Sequence, residues 1–189
     1  MKKITVLILL FTAFSTLAQD KFKTSTAIVN FEASVPFFEE VKAVNKLGTI
    51  VLDPLTSTII CTVFIKDFHF KMDLMETHFN ENYLESNRYP KSVFKGKIEK
   101  FDLKNVDGAE KEYDVNGKLY LHGKSKMIGF KALIKRVPQG IQITCNYPIS
   151  VLDFNIAIPG TVANKISTTA NTSMVGIVRS EEIMYLTLK

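Results

Sequence analysis

From residue 25 onward, apolar and polar side chains alternate with a period of two in short runs rich in β-branched and aromatic residues, the pattern of half-buried antiparallel strands. Eight such runs are expected, at residues 25–34, 46–53, 58–66, 91–101, 113–122, 126–136, 141–154 (broken at Pro148) and 166–178. Reversal signals separate them. Asp53-Pro54, Asp107-Gly108, Val137-Pro138-Gln139-Gly140 and Pro159-Gly160 supply the fixed or positive φ angles that turns need. The fold class this predicts is all-β, an antiparallel eight-stranded barrel with one short helix between strands.

That helix is expected over residues 73–86. Asp73 and Glu76 have the spacing of a capping box, and Pro90 ends the segment by forcing Tyr89 into extended geometry. Met75, Phe79 and Tyr83, spaced by four, share an apolar face suited to lie across the barrel, with Asn80, Glu81 and Glu85 toward water.

Alternation also predicts which side chains point inward. The expected inward set is Val29 and Phe31; Cys61, Val63 and Ile65; Phe94, Gly96 and Ile98; Val115, Gly117, Leu119 and Leu121; Ile128, Phe130, Ala132 and Ile134; Ile141, Ile143, Cys145 and Tyr147. Gly96, Gly117 and Ala132 among bulky neighbours fit a lumen with room for a ligand. They fit equally a strand bend, a bulge and a core filled by the protein's own side chains. Cys61 and Cys145 fall on strands that are not neighbours in an up-and-down barrel, so unbridged thiols are expected.

Two segments carry a resemblance. ETHFNENYLESNRYPKSVFKGK at residues 76–97 runs a His-Phe-Asn helix into Tyr89-Pro90 and a strand, and VNGKLYLHG at residues 115–123 is a Leu-x-Leu-His-Gly strand. Together with Asp153-Phe154-Asn155-Ile156-Ala157-Ile158-Pro159 and Val162-Ala163-Asn164-Lys165-Ile166, they resemble the YceI-like polyisoprenoid-binding family. The resemblance implies a lipocalin-like barrel around a long apolar lipid. The ligand-contacting residues expected from it and from the alternation are Phe31, Val63, Ile65, Phe79, Tyr83, Phe94, Gly96, Ile98, Gly117, Leu119, Leu121, Phe130, Ala132, Ile143 and Tyr147. Two departures stand out: residues 167–173 are polar for a closing strand, and residues 179–189 extend past the usual end.

The N-terminus reads as a signal peptide, with Lys2 and Lys3 before an apolar run at residues 4–14 and Thr16-Leu17-Ala18 as the cleavage site. The run is too short to span a membrane, and no Cys follows it for lipid attachment, so a periplasmic or secreted domain at residues 19–189 is expected. Formal net charge is +5, reduced when Lys2 and Lys3 are removed, and it is too small and scattered to mark a nucleic-acid surface.

No catalytic constellation, cofactor motif or metal set emerges. His69, His78 and His122 lack ligand spacing, and His78 with Glu81 reads as a solvated pair on a helix. His122 is expected to make a structural hydrogen bond at a strand end, and Asp153 to be a satisfied carboxylate near the barrel mouth. The leading expectation is a non-enzymatic carrier of a polyisoprenoid or similar long-chain lipid. The alternatives are an interaction scaffold with a filled barrel and, third, an enzyme acting on an isoprenoid.

Overall fold

A computed structural model describes residues 21–180; the expected signal peptide and most of the C-terminal tail lie outside the described residues. Among the described residues the chain forms nine strands: β1 (Phe22–Ser34), β2 (Lys42–Asp53), β3 (Thr58–Phe64), β4 (His69–Phe70), β5 (Lys91–Ile98), β6 (Lys111–Leu121), β7 (Lys124–Val137), β8 (Gly140–Ser150) and β9 (Ile166–Ser180). All pairings are antiparallel. Following the order β1-β9-β8-β7-β6-β5-β3-β2 and back to β1, eight strands close into a barrel, and the two-residue β4 adds to β2 at Ala43 and Val44.

The seam that looked weakest in sequence closes over most of its length, from Phe22↔Ser180 to Ser34↔Ile166. Its polar residues are no obstacle, because ladder bonds come from backbone groups while side chains alternate between faces. Asn30 donates across the seam to the Ser173 hydroxyl at 3.2 Å.

β2 starts earlier than the expected residue 46 because a register shift interrupts the alternation there. Ala27 pairs Gly48, but Val29 pairs Asn45. Asn45 therefore points inward and is fully buried. Its side chain donates to the Phe64 carbonyl at 3.0 Å and accepts from the Leu47 amide at 2.8 Å, satisfying backbone groups that the irregularity leaves over. Gly48 is required at this point, since a Cβ would stand 2.9 Å from the Ala27 carbonyl oxygen.

β8 runs through Pro148 unbroken. Pairing with β7 has ended at Cys145, so the missing N–H of Pro148 costs no ladder bond. The strand then stops at Ser150, and residues 151–154 form a 3₁₀ turn ended by Asn155 in the left-handed region at φ 57°. The expected strand to residue 154 is thus corrected.

The helix is shorter and less regular than expected. α1 (Asp73–His78) continues as a π-helical turn, Phe79–Tyr83, with the Leu84 amide bonded to the Phe79 carbonyl at 2.9 Å. Asp73 lies inside α1, whose N-cap is Met72 without a side-chain cap; Glu76 instead accepts from the Phe70 amide at 3.0 Å, tying α1 to β4. Asn80 is half-buried and donates to the Glu76 carbonyl, so it does not face water as the helical wheel predicted. Glu85 is likewise drawn into a pair, with His122.

Candidate ligand cavity

The barrel interior divides into two halves. At one end, inward residues of seven strands meet: Ile50 and Leu52, Ile59, Ile98, Val115, Ala132 and Ile134, Ile141 and Ile143, and Val178 are all buried. Phe101 and Val106 from the β5–β6 connection cap this end and are buried too. It is a filled core.

At the other end lies an apolar cavity of about 490 Å³, inside the roughly 300–1,000 Å³ range of small-molecule sites. Its wall comes from the strand ends: Val29, Phe31 and Ala33 of β1, Val63 of β3 with Ile65 just beyond, Leu119 and Leu121 of β6, Tyr147 and Ile149 of β8, and Ala170 and Thr172 of β9. Met75 of α1 and Phe79 and Tyr83 of the π-turn cover it as a lid. Phe79 is the anchor. It stacks on Phe31 at 5.3 Å between centroids and meets Phe70 at 5.1 Å and Phe68 at 5.9 Å, four phenylalanines from three separate segments. The wider π-turn rotates the residues after it relative to an α-helix, and Phe79, Tyr83 and Leu84 all reach the cavity.

Polar groups are few. Ser92 and Thr172 sit in the wall, and Glu39, His78, Lys165 and Ser167 also border the space. The titratable groups with shifted pKa values near it are held neutral: burial raises the Tyr83 and Tyr147 hydroxyls, pushes the Cys145 thiol up to about 12, and raises Cys61, where the nearby Cys145 adds to the effect. A mostly apolar wall of this kind suits a hydrocarbon.

Of the residues expected to contact ligand, Phe31, Val63, Ile65, Phe79, Tyr83, Leu119, Leu121 and Tyr147 border this cavity. Phe94, Gly96, Ile98, Gly117, Phe130, Ala132 and Ile143 do not border it. Gly96 and Gly117 face each other in register on β5 and β6. A Cβ at Gly96 would stand 2.6 Å from the Phe94 ring, and one at Gly117 2.7 Å from it. The space these glycines leave is therefore taken by the protein's own aromatic ring. Ala132, Ile98 and Ile143 belong to the filled half.

The alternation missed Ile156, Ile158, Val162 and Ala170, which border the cavity from the β8–β9 connection and the start of β9. The Ile156-x-Ile158 spacing was a usable signal, but it lies beyond a turn whose direction the sequence does not give.

The motif residues Tyr89, His122 and Gly123 come together away from the cavity wall. His122 at φ 48° and Gly123 at φ 72° form the two-residue β6–β7 turn. The His122 ring contacts the Phe154 carbonyl through Nδ1 at 3.0 Å and Glu85 Oε2 through Nε2 at 2.9 Å, with Tyr89 edge-on at 4.8 Å. It is mostly buried, not outward as alternation predicted. The arrangement clasps the segment after the lid to the β6–β7 turn and the β8–β9 connection. Asp153 pairs with Lys126. Among the described residues no three His, Cys, Asp or Glu side chains cluster as metal ligands, and no helix is long and apolar enough to cross a membrane.

The sequence matches a family model described as a YceI-like domain over residues 20–174. Three solved structures share the fold: a polyisoprenoid binding domain from Saccharophagus degradans implicated in plant cell wall breakdown (TM-score 0.73, 16% identity, 86% of this chain and 99% of that one); BcnA of Burkholderia cenocepacia (0.65, 14%, 81% and 96%); and the YCEI protein of Campylobacter jejuni (0.53, 21%, 70% and 78%). Comparison with curated proteins gave no match.

Proposed function

The chain belongs to the YceI-like domain family, and from that premise we propose that it is an exported, non-enzymatic binding protein that holds an isoprenoid or similar lipid tail in the open half of its barrel. The observation that carries this reading is the cavity itself, about 490 Å³ walled by aliphatic and aromatic side chains under a hydrophobic lid. The similarity to a polyisoprenoid binding domain supports it.

Apolar burial is enough to drive such binding. Each five-carbon unit removed from water contributes roughly 3–4 kcal/mol at about 0.8 kcal/mol per CH₂, so two or three units approach the ~8 kcal/mol of a micromolar complex before ordering costs are subtracted. No polar motif is needed. The reading of a barrel filled throughout is disfavoured by the cavity.

The test is organic extraction of natively purified protein followed by mass spectrometry. A stoichiometric long-chain lipid is the expected result. Protein that carries no lipid from its native host, and takes none up from added prenols or fatty acids, overturns the reading. The N-terminal sequence of the exported product tests cleavage after Ala18.

A further inference from the structure

Between the cavity and the filled half stands a partition of aromatic rings. Tyr147 of β8 borders the cavity and stacks on Phe130 of β7, with ring centroids 4.6 Å apart and 16° between planes. Phe130 in turn packs against Phe94 of β5 at 5.2 Å, and the Phe94 ring lies over the facing Gly96 and Gly117. The waist of the barrel thus carries small inward residues at Gly96 and Gly117, and the Phe94 ring occupies the room they leave.

We propose that this partition is a chain-length stop: resting on the lipid-binding reading above, it makes the site selective for short prenyl or comparably short acyl tails and gives longer tails no added affinity. Two estimates bracket the available room at about two to three isoprene units. From Tyr147 to Val151, where the turn after β8 begins, both on the cavity border, the extended chain advances four residues, about 13 Å at ~3.3 Å per residue and roughly 10 Å along the axis of a barrel tilted by about 40°. An extended hydrocarbon gains roughly 1.2 Å per bond, by analogy with the backbone's own reach, so two isoprene units in line reach the partition. By volume, 490 Å³ at ~30 Å³ per water-sized group holds about three units. Additional carbons turn back toward the mouth or toward the more polar groove that shares Phe31, Phe70, Tyr147 and Thr172 with the cavity, where they gain less than against its apolar wall.

The experiment equilibrates the purified protein with an equimolar mixture of geraniol, farnesol, geranylgeraniol and solanesol and quantifies each prenol retained after gel filtration, for wild type, Phe130→Ala and Val63→Phe. Phe130→Ala removes the middle ring of the partition. Val63→Phe adds a ring one layer above it, because Val63 pairs with Ser92, two residues before Phe94. Wild type is expected to favour farnesol over geraniol by at least about tenfold, the apolar gain per unit less ordering costs, and to show no further preference for the two longer prenols. Phe130→Ala should extend the rise to geranylgeraniol, and Val63→Phe should shift it back toward geraniol. If Phe130→Ala does not fold, the Val63→Phe arm decides. Wild type preferring solanesol, or folded variants with the wild-type profile, overturns the length stop while leaving lipid binding intact. Retention of no prenol at all defeats the lipid reading and the length stop with it.

Discussion

The two halves of this barrel are built from the same strands and obey the same alternation, yet they do different work. Toward the β5–β6 connection the inward residues are Ile, Leu and Val from nearly every strand, and each is buried against the others. Toward the lid the inward residues are as apolar, but Val63, Leu121, Tyr147 and Ile149 keep partial exposure to a space nothing of the protein fills. One half holds the fold together and the other holds a void. A hydrophobic side chain in the first half stabilises by packing, whereas in the second it waits for a ligand to supply the missing contacts.

The contrast breaks most visibly under truncation. Ile134→Ala in the filled half is expected to cost about 2–5 kcal/mol, because it opens a cavity that close-packed neighbours cannot collapse. Leu121→Ala at the open end should cost less than half as much, since the atoms it removes already face empty space. Urea unfolding of ligand-free protein measures both. Equal losses would mean that the open half is packed in solution.

Overfilling gives the mirror image with a somewhat smaller effect. Ala132 is buried at the filled side of the waist, so Ala132→Phe should lower stability by about 1–3 kcal/mol. Ala170, on the cavity wall, should accept Phe with little loss of stability while reducing retained lipid. Thermal unfolding and lipid extraction on the two variants read the two consequences separately.

The buried Cys145 thiol sharpens the same boundary through pH. Burial raises Cys145 from its ordinary 9.0 to about 12, so the folded state keeps a proton that the unfolded state gives up. Stability linked to this group is intact below pH 9 and falls as pH rises toward 12, at most about 1.4 kcal/mol per pH unit. Comparing wild type with Cys145→Ala isolates the slope, and an identical pH dependence in both would place the thiol in water. Both cysteines are free in the fold, so alkylation of unfolded, unreduced protein should modify both.

At the lid the difference is expected in ligand exchange more than in stability. Phe79→Ala removes contacts with Phe31, Phe68 and Phe70, each worth about 0.5–1.5 kcal/mol beyond area, but the lid is held independently by the His122 clasp on Glu85. The variant should stay folded and release bound lipid several-fold faster in a stopped-flow exchange to acceptor vesicles. An unchanged rate would show that lipid leaves by another route.

Much of this was legible in the sequence. Period-two alternation and turn chemistry are local, set by the pleat and by φ, so they gave the eight barrel strands, the short covering helix with Met75, Phe79 and Tyr83 on one face, and inward residues on six of the strands. Local rules failed where a single residue changed the phase or direction of the chain. Asn45 lies just before the expected strand yet is a buried bridge at a register shift; Asn155 sends Ile156 and Ile158 back over the cavity; and the π-turn interrupts what the helical wheel treated as continuous.

What sequence alone determined is which side chains face the interior. What only the tertiary structure decided is whether the interior at that level is full. Gly96, Gly117 and Ala132 look like room in one dimension, because alternation counts side chains on their own strand. Whether that room remains depends on where bulky rings turn, and here Phe94 of β5 covers Gly96 on its own strand and Gly117 on β6, while Phe130 of β7 packs against it. The open end is left vacant because the strands there meet only a lid and loops, and the volume between them is a sum over segments distant in the chain that no local pattern records.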